Sequence, residues 1–295
     1  MPRIAVQFFG HLRTFNKCLP CLRKHLLNNY DCDIFMHTWD KYNHNTQTWH
    51  TNFKNVNKNV DKDEIIKQLK IKPEQIKTET QGIYSTDKYI ARGREWGLQG
   101  LISMYRSMKA VNDLRENYQK KHNIKYDFVV CIRPDILLKE DLNLEEFIND
   151  EQNVNGNNFY IPGRVPNRNI YGFNCMEVVD LLFFAKPEAM TKFCSGLNPP
   201  IKKGGKVYYA PDGFLVDNIN RAKLNPVFVA SYQYDKSFKI KRYPQIILNR
   251  SNIISFHLRK YGIYLHILRV LPPIMNFDFN IFNWFHLVFS VGKFD

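Results

Sequence analysis

The sequence predicts an α/β fold in which a mostly parallel central sheet is flanked by helices. Three observations predict it. Short apolar runs at Ile4 to Phe9, Ile34 to Thr38 and Phe128 to Ile132 are rich in β-branched and aromatic residues and too short to be helices. Elsewhere apolar residues recur every three or four positions, as at Leu19, Leu22, Leu26 and Leu27. Strand, helix and strand therefore follow one another within residues 4–38, the pattern of a parallel pair joined by a crossover.

The first strand stops at Gly10, a turn residue, and the second ends in Trp39-Asp40. Residues 41–63 are rich in Asn, Lys and Thr without periodicity and read as a surface loop. "DEIIKQLKI" is a short helix with an acidic start, and "GLQGLISMYRSMKAVNDLRENYQKKH" is the longest helix. Its stripe comprises Leu98, Leu101, Met104, Tyr105, Met108 and Leu114. Phe128 to Ile132 is a buried strand that ends abruptly in Arg133-Pro134-Asp135, and Ile136 to Leu138 is expected to run on into a loop. "NLEEFIND" is a small helix, and residues 151–175 are loop and short strand. "EVVDLLFFAKPEAMTKFC" reads as a strand running into a helix that begins at Pro187. "APDGFLVDNINRAKL" starts a further helix with Asp212 in its first turn. Together these predict a single Rossmann-like domain over residues 1–255 and a basic, aromatic extension over 256–295.

Composition narrows the function classes. The chain has 295 residues, 44% of them hydrophobic, enough for a full core. Its net charge of +14 favours anionic partners: phosphates, nucleic acid or an acidic membrane surface. Lys and Arg are spread along the whole chain instead of clustering with exposed aromatics, so no nucleic-acid partner is expected. Six scattered cysteines do not make a disulfide scaffold. Cys18-Leu-Pro-Cys21 has redox or zinc spacing but lacks a second ligand pair, and its thiols read as small apolar residues in a reducing cytosol. "MPRIAVQFFGHLR" is not a secretory signal, and Val270 to Gly292 is too interrupted to span a membrane. The segment around it carries Arg259, Lys260 and Arg269 among many aromatics. It suits either a membrane interface or a last helix at Ile281 to Phe289 packed on the domain. A cytoplasmic protein is expected, peripheral to a membrane if the first alternative holds.

Parallel sheets bind ligands at the carboxyl ends of their strands. The residues expected there are Gly10 to Arg13, Trp39-Asp40, Arg133 to Asp135 and the segment around Asp180. A carboxylate just past a buried strand, with arginines nearby, suits a divalent cation bridging a diphosphate. Arg13 and Arg133 can add charge-assisted hydrogen bonds to the same phosphates. The plainer alternative is that Asp135 begins a turn and Arg133 pairs with a surface carboxylate.

The order of segments resembles the GT-A-fold, nucleotide-sugar-dependent glycosyltransferases, in particular those that build bacterial capsule, lipopolysaccharide or giant-virus glycans. The resemblance rests on "AVQFFGHLRTF" with "DIFMHTWD", "QGLISMYRSMKAVNDL", "YDFVVCIRPDILL", "VVDLLFFAKPEAMTKF" and "PDGFLVDNI", spanning about residues 3–225. It implies a nucleoside diphosphate sugar donor, a glycan or lipid-linked acceptor, and Mn²⁺ or Mg²⁺. In that family an Asp-x-Asp motif after the central strand holds the metal; here the position reads Arg133-Pro134-Asp135, keeping one carboxylate. A literal Asp-x-Asp at Asp31-Cys32-Asp33 precedes a strand, on the wrong side of such a sheet. The resemblance implies Asp135 and His257 as metal ligands, and Asp212 as the general base, with Asp180 its rival. It also implies a donor site of Gly10, Arg13, His37, Trp39 and Arg133, with Tyr105 nearby. A sugar-phosphate nucleotidyltransferase and a non-catalytic basic nucleic-acid binder are the alternative functions.

Overall fold

The computed structural model describes residues 1–44, 56–91, 94–151, 153, 155–162, 168–170, 173–175, 180–197, 211–233, 236–241, 246–248, 253–258 and 263–268. The side chains at 89–96, 168–175, 211–214, 216 and 246–268 lie outside that description. The chain divides into two units, Met1–Arg242 and Tyr243–Asp295. The division falls earlier in the chain than the expected boundary at 255.

The first unit is built on a seven-stranded sheet. Its strands in chain order are β1 (Arg3–Phe9), β2 (Asp31–Trp39), β3 (Ile76–Glu79), β4 (Phe128–Ile132), β5 (Asn158–Pro162), β6 (Leu182–Ala185) and β7 (Asn225–Val229). In space the order is β7-β5-β6-β4-β1-β2-β3. All neighbours run parallel except β6, which is antiparallel to both β4 and β5. The sheet is thus mixed α/β and mostly parallel, as expected. The direction of β6, the strands β3 and β7, and the pairing of β5 went unread in the sequence.

Helices cover both faces, which is why β4 is apolar along its whole length. One core holds Ile4, Val6 and Phe8 against α1 (Phe15–Leu22) and α2 (Lys62–Leu69). The other holds Ala5, Phe9 and Phe35 against α3 (Gln99–His122), which is followed in the chain by the short α4 (Glu145–Ile148). That second core also includes residues of α5 (Pro187–Gly196) and α6 (Pro211–Arg221). The alternation along β1 is the strand period of two showing through. Asp61 caps α2 by accepting a 3.0 Å hydrogen bond from the Glu64 N–H. α3 stops at Asn123, in left-handed conformation, after a basic last turn that suits the negative end of the helix dipole. Ile136–Leu138 is a strand rather than loop, paired with Phe238–Ile240.

Asp31 and Asp33 lie at the amino end of β2, where Arg3 Nη2 donates to Asp33 Oδ2 at 2.9 Å. They face away from the carboxyl edge, as the sequence required. Cys18 is buried in α1, and burial pushes its thiol up to about 12, so it stays protonated and inert. The second unit contains a three-stranded antiparallel sheet of Ile246–Leu248, Ile253–Leu258 and Ile263–Leu268. Two of its strands, Ile253–Leu258 and Ile263–Leu268, fall largely within the segment read as a basic, aromatic extension. Residues 269–295, and with them the expected helix at 281–289, lie outside the described residues. No helix among the described residues is long and apolar enough to cross a membrane.

Candidate functional site

Strand order turns in opposite directions on either side of the β1–β4 pair: from β1 the chain proceeds to β2 and β3, and beyond β4 lie β6, β5 and β7. Such a switch point opens a crevice outside the carboxyl ends of the two strands. Gly10 to Arg13 follow β1 there, and Arg133 to Asp135 follow β4.

Three charged side chains from these two turns form one cluster. Arg133 clasps the Asp135 carboxylate with both arms of its fork, Nε to Oδ1 at 2.9 Å and Nη2 to Oδ2 at 2.7 Å. Arg13 Nη1 donates to the same Oδ2 at 3.1 Å. Asp135 is fully buried, while the side chains of Arg13 and Arg133 keep 19% and 12% exposure. Position 135 is also fixed through its backbone, because its carbonyl accepts from the Lys241 N–H at 2.8 Å. Arg13 takes left-handed dihedrals, φ 45°, three residues beyond Gly10 at φ 94°. The left-handed region is costly for a residue with a Cβ, so surrounding contacts hold it. These contacts are the Arg13 N–H to the Tyr42 carbonyl at 2.9 Å and Nε to Asn43 Oδ1 at 3.3 Å. Burial, and then Arg133 beside it, push the Arg13 guanidinium below its ordinary pKa against the opposing pull of Asp135.

Other expected donor residues play supporting roles. The Gly10 N–H donates to Ser107 Oγ at 2.7 Å, so it is engaged by α3 and does not point to a phosphate. His37 is enclosed, its Nδ1 2.8 Å from Ser107 Oγ and its Nε2 3.5 Å from Glu79 Oε2. The second separation is close enough for attraction but is not an aligned hydrogen bond, since Nε2 has no partner by geometry. Burial holds this imidazole down to about 4, so it is neutral and joins β2, β3 and α3. Trp39 is buried as well, edge-on to His37 at 5.0 Å. Tyr105 is core, and its hydroxyl accepts from Asn218 Nδ2 at 3.1 Å.

Two residues at this edge were given no role by the sequence. His11, in the turn after β1, sits 3.0 Å from the Lys41 carbonyl through Nδ1 and 3.1 Å from Gln81 Oε1 through Nε2. Burial, and then the Arg13 charge, lower it to about 3, so its neutral ring donates to Lys41. Tyr84 packs 6.0 Å from Trp39, and Arg106 lies 4.3 Å over its ring. His11 could have been found by asking what else the "FFGHLRTF" turn carries; Tyr84 comes from a stretch with no periodic signal.

The carboxylates reach the same edge by different routes. Asp180 stands just before β6, and because β6 is antiparallel its amino end lies beside the carboxyl end of β4, where the Arg133 N–H bonds the Leu181 carbonyl at 3.0 Å. Asp180 is half-buried, and its field reaches Arg13 and Tyr105. Asp212 occupies the first turn of α6, which leads into the start of β7 and therefore begins at the carboxyl edge. Its side chain lies outside the described residues, as does that of His257 in the strand Ile253–Leu258 of the second unit.

A divalent cation does not suit the described residues. No three of their His, Cys, Asp or Glu side chains gather as ligands. Asp135 already accepts from two guanidiniums. At an effective dielectric of about 20, unit charges about 4 Å apart interact by about 4 kcal/mol. Two guanidiniums would therefore oppose a dication more than the single carboxylate attracts it. In this geometry Asp135 is the hub of an arginine pair.

A family model described as a domain of unknown function (DUF7796) matches residues 1–162, which include Arg13, Arg133 and Asp135. No curated protein matches the chain.

Proposed function

We propose that this chain, which belongs to the DUF7796 family, transfers a sugar from a nucleoside diphosphate sugar to a glycan or lipid-linked acceptor, on a GT-A-like sheet. One observation carries the reading: two arginines converge on a single buried carboxylate at the switch point of a parallel sheet. A doubly wound dinucleotide site uses two mirrored mononucleotide-binding halves. Here only β1, β2, β3 and β4 form such a half, and the other half is interrupted by the reversed β6. That supports a donor with one nucleotide and leaves the β6–α6 side of the crevice for an acceptor.

In the proposed reaction the bond between the sugar anomeric carbon and the diphosphate oxygen breaks, and its electron pair leaves with the diphosphate. Arg13 and Arg133 stabilise that growing charge. The acceptor hydroxyl oxygen forms the new bond, and its proton passes to a carboxylate at this edge, Asp212 or Asp180. A carboxylate in the first turn of a helix is held ionised by the dipole. A nucleotidyltransferase would use a glycine-rich turn after β1 to cradle phosphates; the engaged Gly10 N–H argues against it. A lipid-linked acceptor would place the protein at an anionic membrane surface.

A panel of nucleotide sugars, screened for slow hydrolysis without acceptor and for thermal stabilisation, tests the reading. Consumption of one donor is expected. Stabilisation by nucleoside triphosphates or oligonucleotides alone would point to the other classes. Once the donor is known, Asp212→Asn should lower turnover by about 10²- to 10⁴-fold with donor affinity retained. Lost donor affinity would move Asp212 to the donor side.

A further inference from the structure

We infer that Arg13 and Arg133 bind the donor diphosphate directly, as a metal-independent clamp, with Asp135 positioning the two guanidiniums. The inference rests on the transferase reading for the nature of the donor, but the anion site itself stands on the geometry.

The positions of the three side chains make the argument. A residue that ligates a metal presents its oxygens outward; Asp135 is fully buried and turns both oxygens to arginine donors. The Arg13 and Arg133 side chains, by contrast, each keep part of their surface exposed. Arg13 spends Nε on Asn43 and Nη1 on Asp135, which leaves Nη2 without an acceptor among the described residues. Asp135 thus holds two like charges side by side, a spacing that a bridging diphosphate matches with paired, charge-assisted hydrogen bonds. The left-handed Arg13 backbone fits the same purpose. Strain at a crevice residue, held by Tyr42 and Asn43, fixes the direction of its side chain before a ligand arrives. Arg13 is also destabilised as a cation by burial and by Arg133, so an incoming anion relieves a repulsion already present.

Calorimetry with inorganic pyrophosphate on the full chain tests this apart from any transferase chemistry, once in EDTA and once with Mn²⁺ or Mg²⁺. The expected result is the same affinity in both buffers and a loss of about 30-fold or more in Arg133→Ala, in line with truncating one partner of a charge-paired contact. Arg133→Lys keeps a point charge without the fork and should recover part of the loss. Arg13→Lys repeats the test with smaller risk to the fold, and weakening there is expected too. Binding that appears only with the metal, that is absent in both buffers, or that is unchanged in the arginine variants overturns the inference. If pyrophosphate binds through the arginines yet no nucleotide sugar is consumed, the transferase reading falls and the anion clamp remains.

Discussion

Removing the Asp135 carboxylate would leave two guanidiniums facing each other in a poorly solvated turn. Deleting one side of a buried ion pair costs about 3–5 kcal/mol, a large share of the 5–15 kcal/mol typical of a domain. Asp135→Ala is therefore expected to lower the urea midpoint markedly, and more than Arg133→Ala does, since the latter leaves Asp135 paired with Arg13. Equal midpoints for the two variants would contradict the shared-carboxylate arrangement. The buried histidines make a second prediction. His11 and His37 are held down to about 3 and about 4, chiefly by burial, whereas unfolded histidine protonates near 6.5. Between those values the unfolded chain binds more protons. Stability is therefore full above about pH 6.5 and declines as pH falls toward 4, by about 1.4 kcal/mol per pH unit for each histidine. Urea titrations from pH 7 to pH 5, above the range of the carboxylates, should show this slope, and His37→Gln should remove about half of it.

At the scale of elements, α3 does more than cover the sheet. Ser107 in its third turn accepts the Gly10 N–H and meets His37 at 2.8 Å, so one hydroxyl ties the turn after β1 to the end of β2. Ser107→Ala should cost about 1–3 kcal/mol by orphaning a buried donor. Because Gly10 leads into Arg13, the same change should weaken pyrophosphate binding in calorimetry, an effect a purely local packing role would not produce. The long helix was legible because its apolar stripe repeats over many turns. Ser107 was not, because nothing in a run of "MYRSMKAV" says which polar residue faces the sheet. β6 was legible as a strand from "DLLFFA", yet its direction was not, since alternation and apolarity are the same whichever way a strand runs. That unread direction is what brings Asp180 to the site.

At the scale of the whole molecule, both apolar cores found among the described residues lie inside Met1–Arg242, from Ile4 to Phe238. A chain truncated after Arg242 should unfold in one cooperative transition by circular dichroism; a broad, non-cooperative loss of signal would refute an autonomous unit. The same fragment separates the roles of charge and of residues 243–295. If the full chain sediments with anionic vesicles at low salt and the fragment does not, membrane contact belongs to the second unit; equal sedimentation assigns it to the basic surface of the first.

The sequence by itself determined the α/β class, the strands at both sides of the crevice, and the residues at their ends. Runs of β-branched residues and the positions of Gly10 and Arg133 to Asp135 are local facts, readable from neighbours in the chain. It did not determine what Asp135 touches. Only the tertiary structure set Arg13, 122 residues away in the chain, against the carboxylate and so made it the hub of an arginine pair. The physical reason is that a carboxylate's role depends on burial and on the charges within a few ångströms, and both come from parts of the chain that meet only when the sheet forms.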